Sequence, residues 1–168
     1  MKKIVSLMFA SVMMLFAQGQ GQPPSSSVAQ AFQETKKKCD TGEDYGDCVI
    51  VGINYYFGVS GVIDKSEFEA LKYFKIACDN NMPDGCNNLG MLYTQGRTTD
   101  LSKAKEAFEK GCRLSSGKAC LNLGTMYAKG DGVAMDEMRA LKIFENACAL
   151  GSREGCVAYD AYRKASGL

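Results

Sequence analysis

The eight cysteines of this chain are its strongest constraint, because they recur at a fixed spacing. They stand at 39, 48, 78, 86, 112, 120, 148 and 156 and form four close couples. Three couples are 8 residues apart and the first is 9 apart; successive couples start 39, 34 and 36 residues after one another. A recurrence of that length marks an array of helical repeats.

Two apolar patterns travel with the cysteines. Before the first Cys of a couple come Ala70, Phe74, Ala77 and Cys78, then Ala104, Phe108, Gly111 and Cys112, then Ala140, Phe144, Ala147 and Cys148. The offsets i, i+4, i+7, i+8 lie on one face of an α-helix, here helix B. After the second Cys come Val51, Gly52 and Tyr55, then Leu89, Gly90 and Tyr93, then Leu123, Gly124 and Tyr127. Counted from the Cys, these offsets are i+3, i+4 and i+7, a second helix, A. A glycine inside a helix costs about 1 kcal/mol against alanine. Close approach of a neighbouring helix is the expected reason for it.

The punctuation agrees. Gly58, Gly96 and Gly130 fall just past helix A, where a left-handed residue is expected. Ser66, Asp100 and Asp136 fall at the N-cap of helix B, and Ser66 with Glu69 spells a capping box. The chain therefore reads as all-α, four helical hairpins in B–A order stacked into a solenoid. The first copy (Ala31, Thr35, Lys38, Cys39) and the last (Cys156, Tyr159, Asp160, Arg163) depart from the pattern as end caps do. The Lys36–Lys38 run is expected to be a solvated face of the capping helix.

Each cysteine couple brackets the short turn between helix B and the next helix A, which brings the two sulfurs near each other. The spacing is wrong for zinc, which favours closer couples and often histidine, and the chain has none. The expected bonds are Cys39–Cys48, Cys78–Cys86, Cys112–Cys120 and Cys148–Cys156. Pairing between neighbouring couples and free thiols remain the alternatives at this point. Closing one such loop is worth roughly 2.5 kcal/mol. Four together rival the whole stability of a domain, about 5–15 kcal/mol.

Residues 1–19 have the grammar of a secretory signal: Lys2 and Lys3, an apolar run from Ile4 to Ala17, and small residues Ala17 and Gly19 around a cleavage point. Export and disulfides support each other. Residues 20–27 read as a disordered leader and 28–165 as the array. Without Lys2 and Lys3, 18 basic residues face 19 acidic ones, a net charge of −1. That balance gives no footprint for nucleic acid or an anionic membrane. The expected location is secreted or periplasmic, with no membrane attachment after cleavage and no cofactor.

The strings Cys-Asn-Asn-Leu-Gly-Met-Leu-Tyr at 86–93, Cys-Leu-Asn-Leu-Gly-Thr-Met-Tyr at 120–127 and Gly-Asp-Gly-Val at 130–133 resemble Sel1-like repeats, relatives of tetratricopeptide repeats. With the cysteine couples and the export signal, residues 28–165 look like the Helicobacter cysteine-rich proteins. The resemblance implies a right-handed αα superhelix with disulfides inside each hairpin, penicillin binding, weak β-lactamase activity, or adaptor roles toward protein partners.

The residues themselves give the enzyme little. The absent histidine excludes a Ser-His-Asp triad and a zinc β-lactamase. Two S-x-x-K matches occur, Ser102 with Lys105 and Ser115 with Lys118, but the S-D-N and K-T-G elements of serine β-lactamases do not. Ser102 falls in a first helical turn. Ser115 falls in a hairpin turn, in the slot expected to hold Pro83 or Ser152 elsewhere. No catalytic residue is named. The binding expectation is a peptide-like ligand or protein partner, including a β-lactam or peptidoglycan-derived group, in a concave groove lined by the A helices. Its residues are Asn88, Leu92 and Gln95 on one helix and Asn122, Met126 and Lys129 on the next. Membership of a larger envelope assembly is a third expectation.

Overall fold

A computed structural model describes residues 24–97 and 99–165. The segment expected to direct export, residues 1–19, lies outside them, as do residues 20–23 of the expected leader. The rest of that leader, 24–27, is the first turn of helix α1 (Pro24–Thr41). Proline at a first helical position carries the right φ already and gives up no needed N–H.

Seven further helices follow, each 13 residues long: α2 (Tyr45–Phe57), α3 (Glu67–Asp79), α4 (Pro83–Gln95), α5 (Leu101–Arg113), α6 (Gly117–Lys129), α7 (Glu137–Ala149) and α8 (Arg153–Ala165). Odd-numbered helices are B and even-numbered ones are A. Each helix packs on its chain neighbours, and successive A helices also touch. The result is a right-handed αα superhelix. No described helix is long and apolar enough to cross a membrane. The loop after α2 is the longest between A and B, and it holds an isolated bridge between Val59 and Ile63.

The buried side chains fall into three successive clusters along the array. Phe32, Cys39, Cys48, Val51, Ile63, Tyr73 and Ala77 form one. Ala70, Phe74, Cys78, Cys86, Leu89, Leu92 and Ala107 form the next. Ala104, Phe108, Ala119, Leu123, Met126, Tyr127, Ala140 and Phe144 form the third. Stability is therefore assembled neighbour by neighbour, as in a one-dimensional stack.

Two different devices hold the helices together. Within an A–B pair the device is glycine against phenylalanine. A methyl placed on Gly52, Gly90 or Gly124 would lie 2.5–2.6 Å from a ring carbon of Phe74, Phe108 or Phe144. That is the close approach the mid-helix glycines announced. In α8 the same position is Asp160, since no described B helix follows to cover it. Across each B–A turn the device is a disulfide. All four expected bonds are present, with Cα–Cα distances of 4.9, 4.4, 4.6 and 4.3 Å.

The residues preceding the paired cysteines explain how close those helices come. Behind the last three staples the couples are Ala77 with Gly85, Gly111 with Ala119, and Ala147 with Gly155. A methyl on any of these glycines would sit 2.5–2.7 Å from its partner's Cβ. One of the two must be glycine, and the sequence puts it on either side. The first staple has an extra residue in its turn and the widest Cα separation, and there Lys38 and Asp47 occupy the same positions.

The N-caps are as expected: Ser66, Asp100 and Asp136 accept from the N–H of Glu69, Lys103 and Arg139. The reciprocal arm of the expected box is not used. The Ser66 N–H instead donates to the Tyr55 carbonyl, as Asp100 does to Tyr93 and Asp136 to Tyr127. Each A–B loop is thus latched to the carbonyl of the A-helix tyrosine.

The glycines past helix A are not alike. Only Gly130 is left-handed (φ 76°, ψ 25°); Gly58 has φ 74° with extended ψ, and Gly96 is extended at φ −79°. The loop after Gly96 is the shortest of the three. There glycine is needed for room, since a Cβ would lie 2.5 Å from the Leu92 carbonyl oxygen.

Candidate functional site

On each A helix three registers face away from the B layer and a fourth, the sixth after the cysteine, lies at their edge and is buried on α4 and α6. Counted from its cysteine they are the second, fifth, sixth and ninth residues after it. On α2 they are Ile50, Ile53, Asn54 and Phe57; on α4, Asn88, Met91, Leu92 and Gln95; on α6, Asn122, Thr125, Met126 and Lys129.

Between α2 and α4 these side chains enclose a hollow of about 90 Å³, lined by Ile53, Tyr56, Phe57, Phe74, Asn88, Met91, Leu92 and Gln95. Three expected residues, Asn88, Leu92 and Gln95, therefore meet in one place. Leu92 forms its buried floor, Asn88 is half-buried and Gln95 is exposed. The α2 contribution was not anticipated. A search for recurring asparagine finds none on α2, because the same registers there hold Ile50, Ile53 and Phe57. Asn54, out of phase with Asn88, stands in the register of Leu92. Large apolar groups stay open to solvent at this end: Ile50 is 49%, Ile53 39%, Phe57 72% and Met91 40% exposed.

The α6 residues divide. The Asn122 side-chain amide donates to Asn87 Oδ1 at 2.9 Å and ties α6 to α4. Asn87, buried and absent from the sequence expectation, turns its own amide toward Met91 Sδ at 3.6 Å. Met126 is 3% exposed and belongs to the third core cluster, so it is a packing residue and not a wall of the groove. Its register faces inward once the helices curve together. Lys129 is exposed at the C-terminal end of α6 and pairs with no carboxylate among the described residues.

The first capping helix carries more than a solvated lysine face. Lys36 Nζ bonds Asp40 Oδ2 at 2.5 Å, and Asp40 Oδ1 accepts from the Tyr73 hydroxyl at 3.0 Å. The hydrogen bond to Asp40 raises the Lys36 pKa above its ordinary value. Burial pushes the Asp40 carboxyl up, but the bonds from Lys36 and Tyr73 together outweigh it and leave it lowered. The triad closes the open end of the array over Tyr73, whose ring stacks on Tyr55 with centroids 5.7 Å apart.

The serine–lysine couples do not assemble. Ser102 is exposed, and Lys105 lies 3.8 Å from Glu109. Ser115 and Lys118 are both exposed. Ser115 occupies the left-handed turn position (φ 69°) that holds Asn81 (φ 63°) and Gly151 (φ 83°) in the other turns. It therefore corresponds to those residues, not to Pro83 or Ser152. The slot of Ser152 belongs to Ser116, and both serines cap the following helix. Among the described residues neither Ser102 nor Ser115 hydrogen-bonds its lysine.

Comparison with known proteins places this geometry in a family. The model of the Sel1 repeat matches residues 48–82, 83–116 and 117–152. Cytochrome c oxidase assembly factor 7 of Xenopus tropicalis is 32% identical over 135 residues, 75% of this chain and 58% of that protein. Beta-lactamase HcpA of Helicobacter pylori is 34% identical over 60 residues, 36% of this chain and 24% of its own. The chain spans little more than half the length of the assembly factors it matches. Among solved structures, Helicobacter pylori cysteine rich protein B superposes with a TM-score of 0.63 at 31% identity, over 81% of this chain and 97% of that one. The matched repeats run A–B, so Cys78–Cys86 and Cys112–Cys120 each join one matched repeat to the next, and the outer two staples join the first and last matched repeats to the helices flanking them.

Proposed function

The chain belongs to the Sel1 repeat family, and from that premise we propose that it is an exported interaction module holding a segment of a protein partner, or a peptide-like ligand, in the groove formed by its A helices. The observation that carries the reading is the hollow between α2 and α4. Ile53, Phe57 and Met91 line it and, like Ile50 beside them, stay in water, while Val51, Leu89 and Leu92 of the same helices are buried. Sparing such groups from the core has a physical cost unless something covers them. Asn88 and Gln95 beside them offer donors and acceptors to a peptide backbone.

Four disulfides suit an oxidising compartment, which is the support for export. They also make the groove rigid before a ligand arrives, which lowers the entropy lost on binding. The assembly-factor relatives support a role in holding a partner. The similarity to a protein named as a β-lactamase supports penicillin binding or slow hydrolysis as the second reading. Neither serine–lysine couple, Ser102 with Lys105 or Ser115 with Lys118, adds to it among the described residues.

The test is selection of a displayed random peptide library on the oxidised chain. Selected peptides should compete with one another and bind at least tenfold more weakly to Met91→Ser or Asn88→Ala. Substitution of Lys142, on B helix α7, should leave them unchanged. Peptides indifferent to both groove variants would refute the reading.

A further inference from the structure

Reading the groove registers along the array reveals an order that no single helix shows. The second, fifth and ninth residues after each A-helix cysteine are Ile50, Ile53 and Phe57 on α2, Asn88, Met91 and Gln95 on α4, and Asn122, Thr125 and Lys129 on α6. Polarity rises from α2 to α6, from wholly apolar, through mixed, to polar and cationic. The same registers of α8 hold Ala158, Ala161 and Ala165, and Lys164 stands beside the last. Not one carboxylate occupies these registers on any of the four helices, although the chain has 19 acidic side chains against 20 basic ones.

Two cations lie near the ends of the groove, and their surroundings differ. Lys65 stands beside the apolar end with its ammonium 5.3 Å from the centre of the Tyr56 ring. Lys129 stands exposed with no carboxylate partner among the described residues. A charge left unpaired on a surface free of like-signed competitors favours an anion there.

We propose that the groove takes a polarised segment: one aliphatic or thioether side chain seated in the α2–α4 hollow, and a carboxylate, from an acidic residue or a chain terminus, held at Lys129. This deepens the groove-binding reading and rests on it. The size of the anchor follows from the hollow. At about 90 Å³ it is smaller than the roughly 150 Å³ engineered cavity that accepts benzene, so the anchor is an aliphatic or thioether side chain and not an aromatic ring. The spacing follows from the helices. Packed helices lie about 8–10 Å apart, so the hollow, half a spacing from α4, and α6 are separated by about 12–15 Å. Extended chain covers that in about four to five residues at roughly 3.3 Å each.

The library selection above decides the point when the selected sequences are read and remade. Peptides should pair Leu, Ile or Met with Asp, Glu or the C-terminal carboxylate about four to five positions away. Replacing the apolar anchor by Ser should weaken binding about ten- to a hundredfold, the scale of one buried side chain. Replacing the acid by Lys should weaken it about three- to fivefold, the scale of an exposed ion pair, and Lys129→Glu should reverse that preference. The Lys129→Glu variant, exposed at a helix end, should fold as the parent does, as checked by circular dichroism.

Groove-bound peptides without an acid, or with a preference that Lys129→Glu leaves unchanged, overturn this inference and leave the groove reading standing. Peptides that ignore the groove variants overturn both. A concentration-dependent dimer dispersed by Ile53→Ser would show that a second copy covers the apolar end, and would also overturn it.

Discussion

Gly90→Ala should destabilise this protein, although alanine is the better helix former. In α4 the substitution gains about 1 kcal/mol from backbone propensity. The new methyl would lie 2.5, 2.6 and 2.8 Å from three ring carbons of Phe108. That ring is 2% exposed and is packed against Ala104, Leu123 and their neighbours, so it cannot swing clear. Overpacking of this kind costs about 1–3 kcal/mol, leaving a net loss of up to about 2 kcal/mol. In a Phe108→Leu background the methyl has room, and the same substitution should stabilise by about 1 kcal/mol. The sign therefore reverses between backgrounds, a coupling that a double-mutant cycle isolates. Urea and thermal denaturation of the oxidised protein, followed by circular dichroism, read it as a shift of about 2–4 °C per kcal/mol. A stabilising Gly90→Ala in the parent, or an equal effect in both backgrounds, would refute the reasoning for Gly52 and Gly124 as well.

Other outcomes follow from the same contacts. Gly111→Ala should be rescued in large part by Ala119→Gly, which moves the glycine to the other side of the staple; no rescue in denaturation midpoints would mean the Cβ contact is not what limits the approach. Graded reduction with alkylation and mass spectrometry should open Cys148–Cys156 first, since both its cysteines are half-buried while those of the first two staples are buried; early labelling of Cys39 or Cys78 would contradict this. Because the Asp40 carboxyl is lowered in the folded state, its contribution is present above the unfolded value near 3.8 and is lost as pH falls through the folded one. Asp40→Asn should therefore lower the melting temperature at neutral pH and flatten its decline on acidification, and an unchanged pH profile would remove the triad from the account. Nitrocefin turnover by the pure oxidised chain should stay near background and be the same in Ser102→Ala and Ser115→Ala; saturable turnover lost in either would favour the hydrolase.

Much of this fold was legible because its two devices leave marks in residue type. Sulfur couples announce the turns, and a glycine at a helical position facing phenylalanine announces the A–B contact. What escaped was whatever depends on curvature or on small offsets. Met126 and Leu92 share a register, yet one is sealed in the core and the other floors a hollow. Asn122 looked available for a ligand until α4 brought Asn87 within reach. Ser115 stands three residues after Cys112, as Asn81 and Gly151 stand three after Cys78 and Cys148; the side chains differ, but the count from the cysteine aligns them and their shared positive φ agrees. Ile53 and Phe57 were overlooked because the groove was sought as repeated identity. Its registers repeat, and their chemistry changes from helix to helix.

The central claim is that the A-helix face is the working surface. Amide chemical-shift mapping with a library-selected peptide tests it most directly on the oxidised chain. The account predicts perturbations centred on Ile53, Phe57, Asn88 and Met91 and extending to Lys129. Perturbations confined to the B helices α3, α5 and α7 would contradict it.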